Sequence, residues 1–259
     1  HLQGVDGLIA GLEPLTSNVF QQSSNLKVIA RVGIGMENVD MESAETHKIK
    51  VSNTPDGPTD AVSEMTLAAA LSLSRNIVQA NGALHEKQWE KSIGMGLKNA
   101  NVLIVGYGRI GRKVAGLFRI MGAHILICDP LLAKKDLQSG ENLLELKDGL
   151  KLADIITLHA GGDNPILTET EFEIMKKGAI VLNSARAKLI DESALINALD
   201  SGKVSSAWLD VFWQEPYTGK LTGYNQVLLT PHMSTYSVQC RKDMEMAAVK
   251  NLLRDLGIK

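Results

Sequence analysis

One stretch decides the fold of this chain: Val102-Leu-Ile-Val-Gly106-Tyr-Gly108-Arg-Ile-Gly111-Arg-Lys-Val-Ala115. It predicts a buried strand, a glycine-rich turn and the start of a helix, in that order. In such a unit Gly106 permits the tight turn, Gly108 lets the backbone approach a pyrophosphate, and Gly111 lets helix and strand pack closely. The phosphates of a bound dinucleotide then lie at the helix N-terminus. The alternative is a turn with a structural role only, since loops are glycine-rich for many reasons.

A carboxylate follows this motif at the end of the next predicted strand. Asp129 lies 18 residues after Gly111. At that point a carboxylate accepts hydrogen bonds from the adenosine ribose hydroxyls and repels the additional phosphate of NADP. The residues that follow, 130–133, contain no arginine that would bind that phosphate. The sequence therefore predicts NAD as the cofactor.

Strand-like and helix-like segments alternate along the rest of the chain. Strands are predicted at residues 5–10, 26–32, 50–53, 101–105, 124–128, 155–159, 179–183, 206–211 and 227–230. Helices are predicted at residues 16–22, 41–48, 59–89 with a kink or join at Gly82, 110–121, 169–176, 192–200 with Gly202 as its C-terminal cap, and 235–259. Runs such as 102–105 are apolar without alternation, which is typical of parallel strands buried on both faces. We therefore predict an α/β protein with a Rossmann-type doubly wound parallel sheet.

Composition excludes several classes of protein. The 259 residues are 44% hydrophobic and carry a formal net charge of -2, so one large domain or two modest ones are expected and nucleic acid is not an expected partner. The two cysteines, Cys128 and Cys240, form neither a disulfide framework nor a metal-binding spacing, so no metal is expected. No apolar run is long enough to span a membrane, and the cysteine usage fits a reducing cytoplasm.

Four polar residues follow successive predicted strands. Arg186 follows the strand at 179–183, Asp210 and Glu215 follow the next strand, and His232 follows the last. Because parallel strands of one sheet end at the same edge, these side chains are expected to converge there. Each also has a structural alternative: a surface ion pair for the arginine, a turn residue for the histidine, and a solvated side chain for Glu215.

These residue types suit hydride chemistry at a carbonyl carbon. Negative charge grows on the oxygen as hydride reaches the carbon, and histidine supplies a proton near neutral pH. A neighbouring carboxylate orients the imidazole and favours its charged form, so Glu215 is the expected partner of His232. Arginine binds a substrate carboxylate through paired hydrogen bonds, which is the role predicted for Arg186. Asp210 contacts the nicotinamide amide or merely ends a strand, and His159 lines the cofactor cleft or packs in the core.

At these residues the sequence resembles the D-isomer-specific 2-hydroxyacid dehydrogenase family, over nearly its whole length. The other motifs that carry the resemblance are Arg31-Val-Gly-Ile-Gly-Met-Glu-Asn-Val-Asp40, Asn53-Thr-Pro55, Ala61-Val-Ser-Glu64, Ser184-Ala-Arg186, Leu209-Asp-Val-Phe212, Glu215-Pro216 and Pro231-His232. The resemblance implies an NAD-dependent enzyme that moves a hydride between nicotinamide and C2 of a small 2-hydroxy or 2-keto acid. It also implies a homodimer formed through the cofactor domain.

The resemblance assigns site residues by position. It implies that Arg186, Glu215 and His232 are catalytic. The positions that it implies for cofactor contacts are Ile34, Gly106, Gly108, Arg109, Ile110, Gly111, Asp129, Ala160, Ser184, Ala185 and Asp210, and we add His159 from its place at a strand end. The positions that it implies for substrate contacts are Arg31, Gly33, Ile34 and Arg186, with backbone amides of the turn at 32–34 receiving the substrate carboxylate.

The resemblance also implies two domains. A Rossmann-type NAD domain is predicted at residues 58–236, and a smaller flavodoxin-like α/β substrate domain is predicted from residues 1–57 and 237–259. The substrate domain is expected to lack its first strand, because the chain enters almost at once on a strand-like run. No regulatory domain is expected after Lys259.

Some positions depart from the family pattern. Ala187 stands where glycine is usual, Met233-Ser234 replaces a small pair, and the loop at 159–165 is unusual. The segment 9–13 contains no cation, which counts against phosphoglycerate as the substrate, although Arg31 remains a candidate phosphate partner. A 3-phosphoglycerate-like acid, hydroxypyruvate and glyoxylate all stay as candidates. Two other functions remain open: an NADH-sensing regulatory or scaffold protein of the same fold, like the C-terminal-binding corepressors, and a related NAD enzyme acting on an amino acid or a thioether.

Overall fold

The computed structural model describes residues 2–258, apart from the side chain of Lys134. The chain divides into two compact units, residues 1–61 with 235–259 and residues 62–234. The ends of the predicted substrate domain, His1 and Lys259, lie outside the described residues.

Ten strands, all in parallel pairs, lie within the described part of the chain. They are β1 (Gly7–Ala10), β2 (Val28–Arg31), β3 (Lys50–Ser52), β4 (Asn101–Val105), β5 (His124–Cys128), β6 (Glu141–Leu143), β7 (Ile155–Leu158), β8 (Ala179–Asn183), β9 (Val204–Leu209) and β10 (Val227–Leu229).

Nine α-helices lie within residues 2–258. They are α1 (Ser17–Gln21), α2 (Met41–Thr46), α3 (Pro58–Ser74), α4 (Ile77–His85), α5 (Arg109–Ile120), α6 (Leu146–Leu152), α7 (Glu169–Ile174), α8 (Glu192–Asp200) and α9 (Val238–Leu256). None of the helices in this described part of the chain is long and apolar enough to cross a membrane.

The unit at residues 62–234 is built on a seven-stranded parallel sheet. Its strand order is β10-β9-β8-β7-β4-β5-β6, so the chain runs outward from β4 to β6 and then returns to the other side of β4. Parallel sheets of this kind bind ligands where the order reverses, at the carboxyl ends of the strands. The order confirms the predicted doubly wound sheet, and it places the loops after β4 and β7 at that reversal.

Alternate residues of β4 supply two cores, one on each face of the sheet. Leu103 and Val105 belong to one buried cluster, whereas Val102 and Ile104 belong to the other. Successive side chains of a strand point to opposite faces, so an unbroken apolar run buries both. This explains why the bounds of β4, β5 and β8 match the predicted strands.

The local structure differs from the prediction in several places. Strand β6 and helix α6 were not predicted, and the break between α3 and α4 lies at Asn76 rather than at Gly82. Asn76 has φ 52°, a left-handed conformation that asparagine tolerates better than most residues, and Gly82 lies inside α4. Helix α4 also ends at His85, before the predicted end at Trp89.

The other unit contains a three-stranded parallel sheet in the order β1-β2-β3. The C-terminal helix α9 packs on this sheet and buries Met244 and Ala248. A Cβ atom on Gly7 would lie 2.8 Å from Cδ1 of Leu252, so α9 passes close to β1 at this glycine. Asn251 Nδ2 also donates to the carbonyl of Asn53 at 3.0 Å. Helix α9 therefore belongs to the same unit as β1–β3 although it lies at the other end of the sequence.

Candidate active site

The glycine-rich turn connects β4 to α5 and is held against the loop that follows β7. Gly106 has φ +90°, and a Cβ atom there would lie 2.5 Å from the backbone nitrogen of Ala160. A Cβ on Gly111 would collide with the carbonyl oxygen of Gly106, so α5 begins in direct contact with the turn. By contrast, nothing lies within 4 Å of a Cβ built on Gly108. The turn is therefore closely packed beneath and open above Gly108, where a phosphate group could approach the backbone.

The carboxylate predicted to bind ribose lies beside this turn. Asp129 Oδ2 accepts the backbone N–H of Tyr107 at 2.7 Å, and Oδ1 accepts that of Leu131 at 2.9 Å. These bonds fix the carboxylate after β5, close to the glycine turn. Of the two predicted cofactor residues that open α5, Arg109 is exposed and Ile110 packs against the core.

Sequence reasoning missed a buried polar cluster that holds the same turn. Tyr107 donates its hydroxyl hydrogen to Glu141 Oε1, and Arg119 Nη2 pairs with the same carboxylate. The Glu141 carboxylate also accepts the backbone N–H of Gln138 at 2.8 Å. Burial and the bond to Glu141 raise the pKa of Tyr107 to about 12. The cluster thus joins the edge strand β6 to the glycine turn. No local sequence pattern predicts these contacts.

His159 follows β7, and its backbone lies against the glycine turn; that its side chain lines the cofactor cleft stays a prediction. Its backbone carbonyl carbon would lie 2.7 Å from a Cβ on Gly106. Burial lowers the pKa of His159 to about 3, so the imidazole is neutral at physiological pH. Its Nε2 lies 2.9 Å from the hydroxyl of Thr157. A neutral ring suits a wall of the cofactor cleft better than an ion pair with phosphate.

The turn that carries Arg186 is fixed by the last residue of β8. Asn183 is fully buried; its Oδ1 accepts the N–H of Ala185 at 3.0 Å, and its Nδ2 donates to the carbonyl of Arg186 at 2.9 Å. Arg186 Nη1 donates to the carbonyl of Ala185 at 2.8 Å. Asn183 was predicted only as a strand residue, and its side chain instead determines the course of the following turn.

His232 and Glu215 form the predicted pair. His232 Nδ1 lies 3.0 Å from Oε2 and 3.1 Å from Oε1 of Glu215. Both side chains are partly exposed, at 46% and 38%. Glu215 Oε1 also accepts the backbone N–H of Phe212 at 3.2 Å. A carboxylate on Nδ1 selects the tautomer with hydrogen there, which leaves Nε2 for proton exchange with a substrate oxygen.

Backbone hydrogen bonds bring the ends of the three strands together. Asp210 N donates to the carbonyl of Asn183 at 3.0 Å, and Thr230 N donates to that of Leu209 at 3.0 Å. The turns that carry Arg186 and His232 therefore leave β8 and β10, the two strands that flank β9, at one edge of the sheet, as the sequence predicted.

Asp210 is 1% exposed and its carboxylate binds other parts of the protein. Oδ1 accepts the Thr230 hydroxyl at 2.6 Å and the N–H of Met233 at 2.9 Å, and Oδ2 accepts the N–H of Ser234 at 2.8 Å. A carboxylate offers about four acceptor positions, and these bonds occupy three of them. Contact of Asp210 with the cofactor stays a prediction.

The predicted substrate residues of the other unit lie after β2. Arg31 is 8% exposed; its Nη1 donates to the carbonyl of Val32 at 2.7 Å, and its guanidinium covers Gly33. The N–H of Gly33 donates to the Thr54 hydroxyl at 2.8 Å, while Ile34 is partly exposed. One of the amides assigned to the substrate carboxylate therefore already has a partner within the protein, and the substrate role of this turn stays a prediction.

The doubly wound sheet with its glycine turn defines a dinucleotide-binding α/β protein, and the His232–Glu215 pair lies at the carboxyl edge of that sheet. The family model of the D-isomer specific 2-hydroxyacid dehydrogenase NAD-binding domain matches residues 67–234. The chain therefore belongs to this family of NAD-dependent dehydrogenases, and the predicted NAD cofactor is confirmed at the level of the family.

Individual relatives agree with this assignment. D-3-phosphoglycerate dehydrogenase of Sus scrofa is 37% identical over 95% of this chain, which spans 48% of that protein. Hydroxypyruvate reductase of Thermotoga maritima is 34% identical over 94% of this chain, which spans 82% of that protein. A crystal structure of a Thermus thermophilus protein superimposes with a TM-score of 0.93 at 31% identity, covering 100% of this chain and 85% of the other. The chain thus spans about half the length of the pig enzyme and most of the Thermotoga enzyme.

Proposed function

We propose that this chain catalyses NAD-dependent hydride transfer between nicotinamide and C2 of a small D-2-hydroxy acid or 2-keto acid. Residues 58–236 would bind the cofactor, and residues 1–57 with 237–259 would form the substrate domain. The observation that carries the proposal is the hydrogen bond of His232 Nδ1 to the Glu215 carboxylate, at the carboxyl edge of a dinucleotide-binding sheet.

The residues after β4, β5, β8 and β10 fit NAD. Space above Gly108 would admit a pyrophosphate, and the Asp129 carboxylate lies beside the turn to receive ribose hydroxyls. The hydroxyl oxygens of Ser184 and Ser234 are buried and have no hydrogen-bond partner among the described residues. Buried hydroxyls are rarely left unpaired, so these two are suited to a polar group of the cofactor. When bound, the nicotinamide supplies the hydride in the reductive direction.

His232 would move the proton in this reaction. In reduction, Nε2 of the protonated ring donates its proton to the oxygen on C2 as negative charge grows there. The ring is then neutral, and its Nδ1–H still donates a hydrogen bond to the Glu215 carboxylate. In oxidation, the neutral Nε2 takes the hydroxyl proton. Glu215 holds the ring in one orientation throughout, because both carboxylate oxygens lie within hydrogen-bond distance of Nδ1.

Arg186 would bind the substrate beside this histidine. Its backbone is fixed by both polar atoms of the Asn183 side chain, directly and through Ala185. A guanidinium has several donors in one plane, which suits the carboxylate and the C2 oxygen of a 2-keto acid together. The charge of Arg186 would also stabilise the oxygen as it becomes negative.

We propose hydroxypyruvate or glyoxylate, ahead of 3-phosphohydroxypyruvate, as the keto acid. The loop after β1 carries a carboxylate rather than a cation, since Glu13 Oε2 accepts the N–H of Gly11 at 2.9 Å. The guanidinium of Arg31 is buried and folded over Gly33 in this structure. These features disfavour a phosphate dianion more than a small uncharged substituent.

The test is a steady-state NADH-oxidation screen with glyoxylate, hydroxypyruvate, pyruvate and 3-phosphohydroxypyruvate. His232→Gln is expected to lower kcat by about 10²- to 10⁴-fold while NADH binding, followed by fluorescence, survives. His124→Gln is a matched control, because His124 is exposed and lies at the amino end of β5, away from the carboxyl edge of the sheet. Turnover by His232→Gln within a few-fold of the unsubstituted protein would remove histidine from the mechanism. Tight NADH binding with no turnover on any keto acid would favour the NADH-sensing alternative.

We also propose that the chain forms a homodimer through the unit at residues 62–234. An exposed apolar set lies on α4 and the segment after it, with Ile77 52%, Leu84 55%, Trp89 79% and Ile93 102% exposed. Monomers rarely expose contiguous apolar surface of this kind, and it commonly marks an interface.

Contacts within this region support one continuous surface. Asn76 Nδ2 donates to the Ser92 hydroxyl at 3.1 Å, and Met95 N donates to the carbonyl of Ser74 at 2.7 Å. These bonds hold the segment around Ile93 next to the start of α4. In sedimentation experiments at micromolar concentration, Ile93→Asp is expected to give monomers. Ile120→Asp, at another largely exposed position on α5, is expected to remain dimeric. A monomeric unsubstituted protein would contradict the proposal.

A further inference from the structure

His232 adopts a backbone conformation that non-glycine residues rarely hold. Its φ is 49°, within the left-handed region, and its backbone N–H donates to the carbonyl of Thr230 at 2.9 Å. Residues remain in such conformations only where the surrounding structure determines them, and they are frequent at functional sites. The surroundings of this turn therefore decide where the imidazole lies.

The two amides directly after His232 are bound by one buried carboxylate. Asp210 accepts the N–H of Met233 at 2.9 Å and the N–H of Ser234 at 2.8 Å. Asp210 is 1% exposed, so both charge-assisted bonds lie away from water, where they are strongest. The carboxylate thus binds the far side of the His232 turn.

The near side of the turn is bound through a hydroxyl. Thr230 Oγ1 donates to Asp210 Oδ1 at 2.6 Å and accepts the indole N–H of Trp208 at 2.9 Å. An indole nitrogen can only donate, so the hydroxyl oxygen must accept from Trp208, and its single hydrogen is directed to the carboxylate. Trp208 is fully buried in the core beneath the sheet. The chain of bonds therefore begins at a fixed point of the core and ends at the turn.

We propose that Thr230 is a positioning residue for the reaction: with Trp208 and Asp210 it fixes the turn that keeps the His232 imidazole on Glu215. The Thr230 hydroxyl accepts from Trp208 in the core and donates to Asp210, so it links the two. This inference rests on the proposed acid–base role of His232, but it concerns residues that do not themselves touch substrate. It also gives Asp210 a role in the protein apart from any contact with cofactor.

The test compares Thr230→Val, which removes the hydroxyl but keeps the shape, with Thr230→Ser, which keeps the hydroxyl. With NADH and hydroxypyruvate, Thr230→Val is expected to lower kcat by about 10- to 100-fold, because small displacements of a catalytic group are costly. Its Kd for NADH is expected to stay within about twofold of the unsubstituted protein, and Thr230→Ser is expected to recover most of the kcat. The control is Thr66→Val, which should leave kcat unchanged. Thr66 is a buried residue of α3, and among the described contacts its hydroxyl bonds only the carbonyl of Val62.

A second readout does not depend on turnover. NMR of ¹⁵N-labelled imidazoles, with His232→Gln identifying the signal, is expected to show the Nδ1–H tautomer in the unsubstituted protein and a tautomer mixture in Thr230→Val. An unchanged tautomer in a folded Thr230→Val variant would overturn the positioning role. So would a loss of kcat that Thr230→Ser fails to recover, because it would indicate a role of shape alone. If the unsubstituted protein turns over no keto acid but the NMR result holds, the proposed function fails and the positioning role survives.

Discussion

Acidification should lower the free energy of unfolding of this protein through protonation of His159. The imidazole follows β7, lies against the glycine turn, and has a pKa lowered to about 3 by burial. An imidazole in an unfolded chain has a pKa of about 6.5. Between these two values the unfolded chain binds a proton that the folded protein does not.

The direction of the effect follows from that difference. Because the folded-state pKa is lower than the unfolded one, the contribution of His159 to stability is fully present above about pH 6.5 and is lost progressively as the pH falls toward 3. One pKa unit corresponds to about 1.4 kcal/mol, so by about pH 5 the loss amounts to roughly 2 kcal/mol. For a chain of this size that corresponds to a Tm lower by about 4–8 °C.

The assay is urea unfolding at about pH 7.5 and about pH 5 for the unsubstituted protein and for His159→Gln, which cannot be protonated. His159→Gln is expected to lose roughly 2 kcal/mol less of its unfolding free energy between the two pH values, whatever its stability at the higher one. His124→Gln, at an exposed position, should retain the full loss. Equal losses in His159→Gln and the unsubstituted protein would refute the claim that this imidazole is kept neutral by burial.

Three further predictions concern the backbone and the polar cluster. Gly106→Ala should destabilise the cofactor-free protein by at least about 1–2 kcal/mol, because Gly106 has a positive φ and a Cβ there would collide with backbone atoms. Gly108→Ala should keep the Tm of the unsubstituted protein and weaken only NADH binding. Calorimetry and NADH titration separate the two variants, and equal Tm values for both would contradict the reasoning. Tyr107→Phe removes a donor from the buried Glu141 carboxylate and should cost about 1–3 kcal/mol in urea unfolding; an unchanged midpoint would mean that this bond is not needed. Lys48→Gly should raise stability by up to about 1 kcal/mol, because Lys48 has φ 58° after α2, and a lower Tm would argue against backbone strain there.

Strands of the large sheet could be predicted because their burial is visible in their own residues. A run such as Val102–Val105 is apolar at every position, and both of its faces are covered by core. The absence of alternation in such a run then indicates a strand of a parallel sheet, without knowledge of the neighbouring strands. The glycine turn could be predicted for the same reason, because each glycine meets a steric requirement within its own strand–turn–helix unit.

Strand β6 could not be predicted from its sequence. It has three residues, Glu141–Leu143, and starts with a charged side chain that is nonetheless buried. The charge is tolerated because Arg119, from α5, and Tyr107, from the glycine turn, converge on it. A buried charge is acceptable only when it is paired, and these partners lie 22 and 34 positions away along the chain. Such burial is a property of the fold and leaves no periodic signal.

In the candidate site, too, some residues could be predicted from the sequence and others could not. Arg186, Glu215 and His232 could be selected because each follows a strand, and strand ends of one parallel sheet share an edge. The residues that hold the histidine in one conformation could not be predicted, since Thr230 is an ordinary strand-end residue by sequence and Asp210 was expected either to contact the nicotinamide amide or to end a strand. Their importance lies in a direction of hydrogen bonding, from the Trp208 indole to the hydroxyl and on to the carboxylate, that needs all three side chains in place. Residue order therefore predicts which groups would react, whereas the hydrogen bonds that would hold those groups in place become visible only in the folded structure.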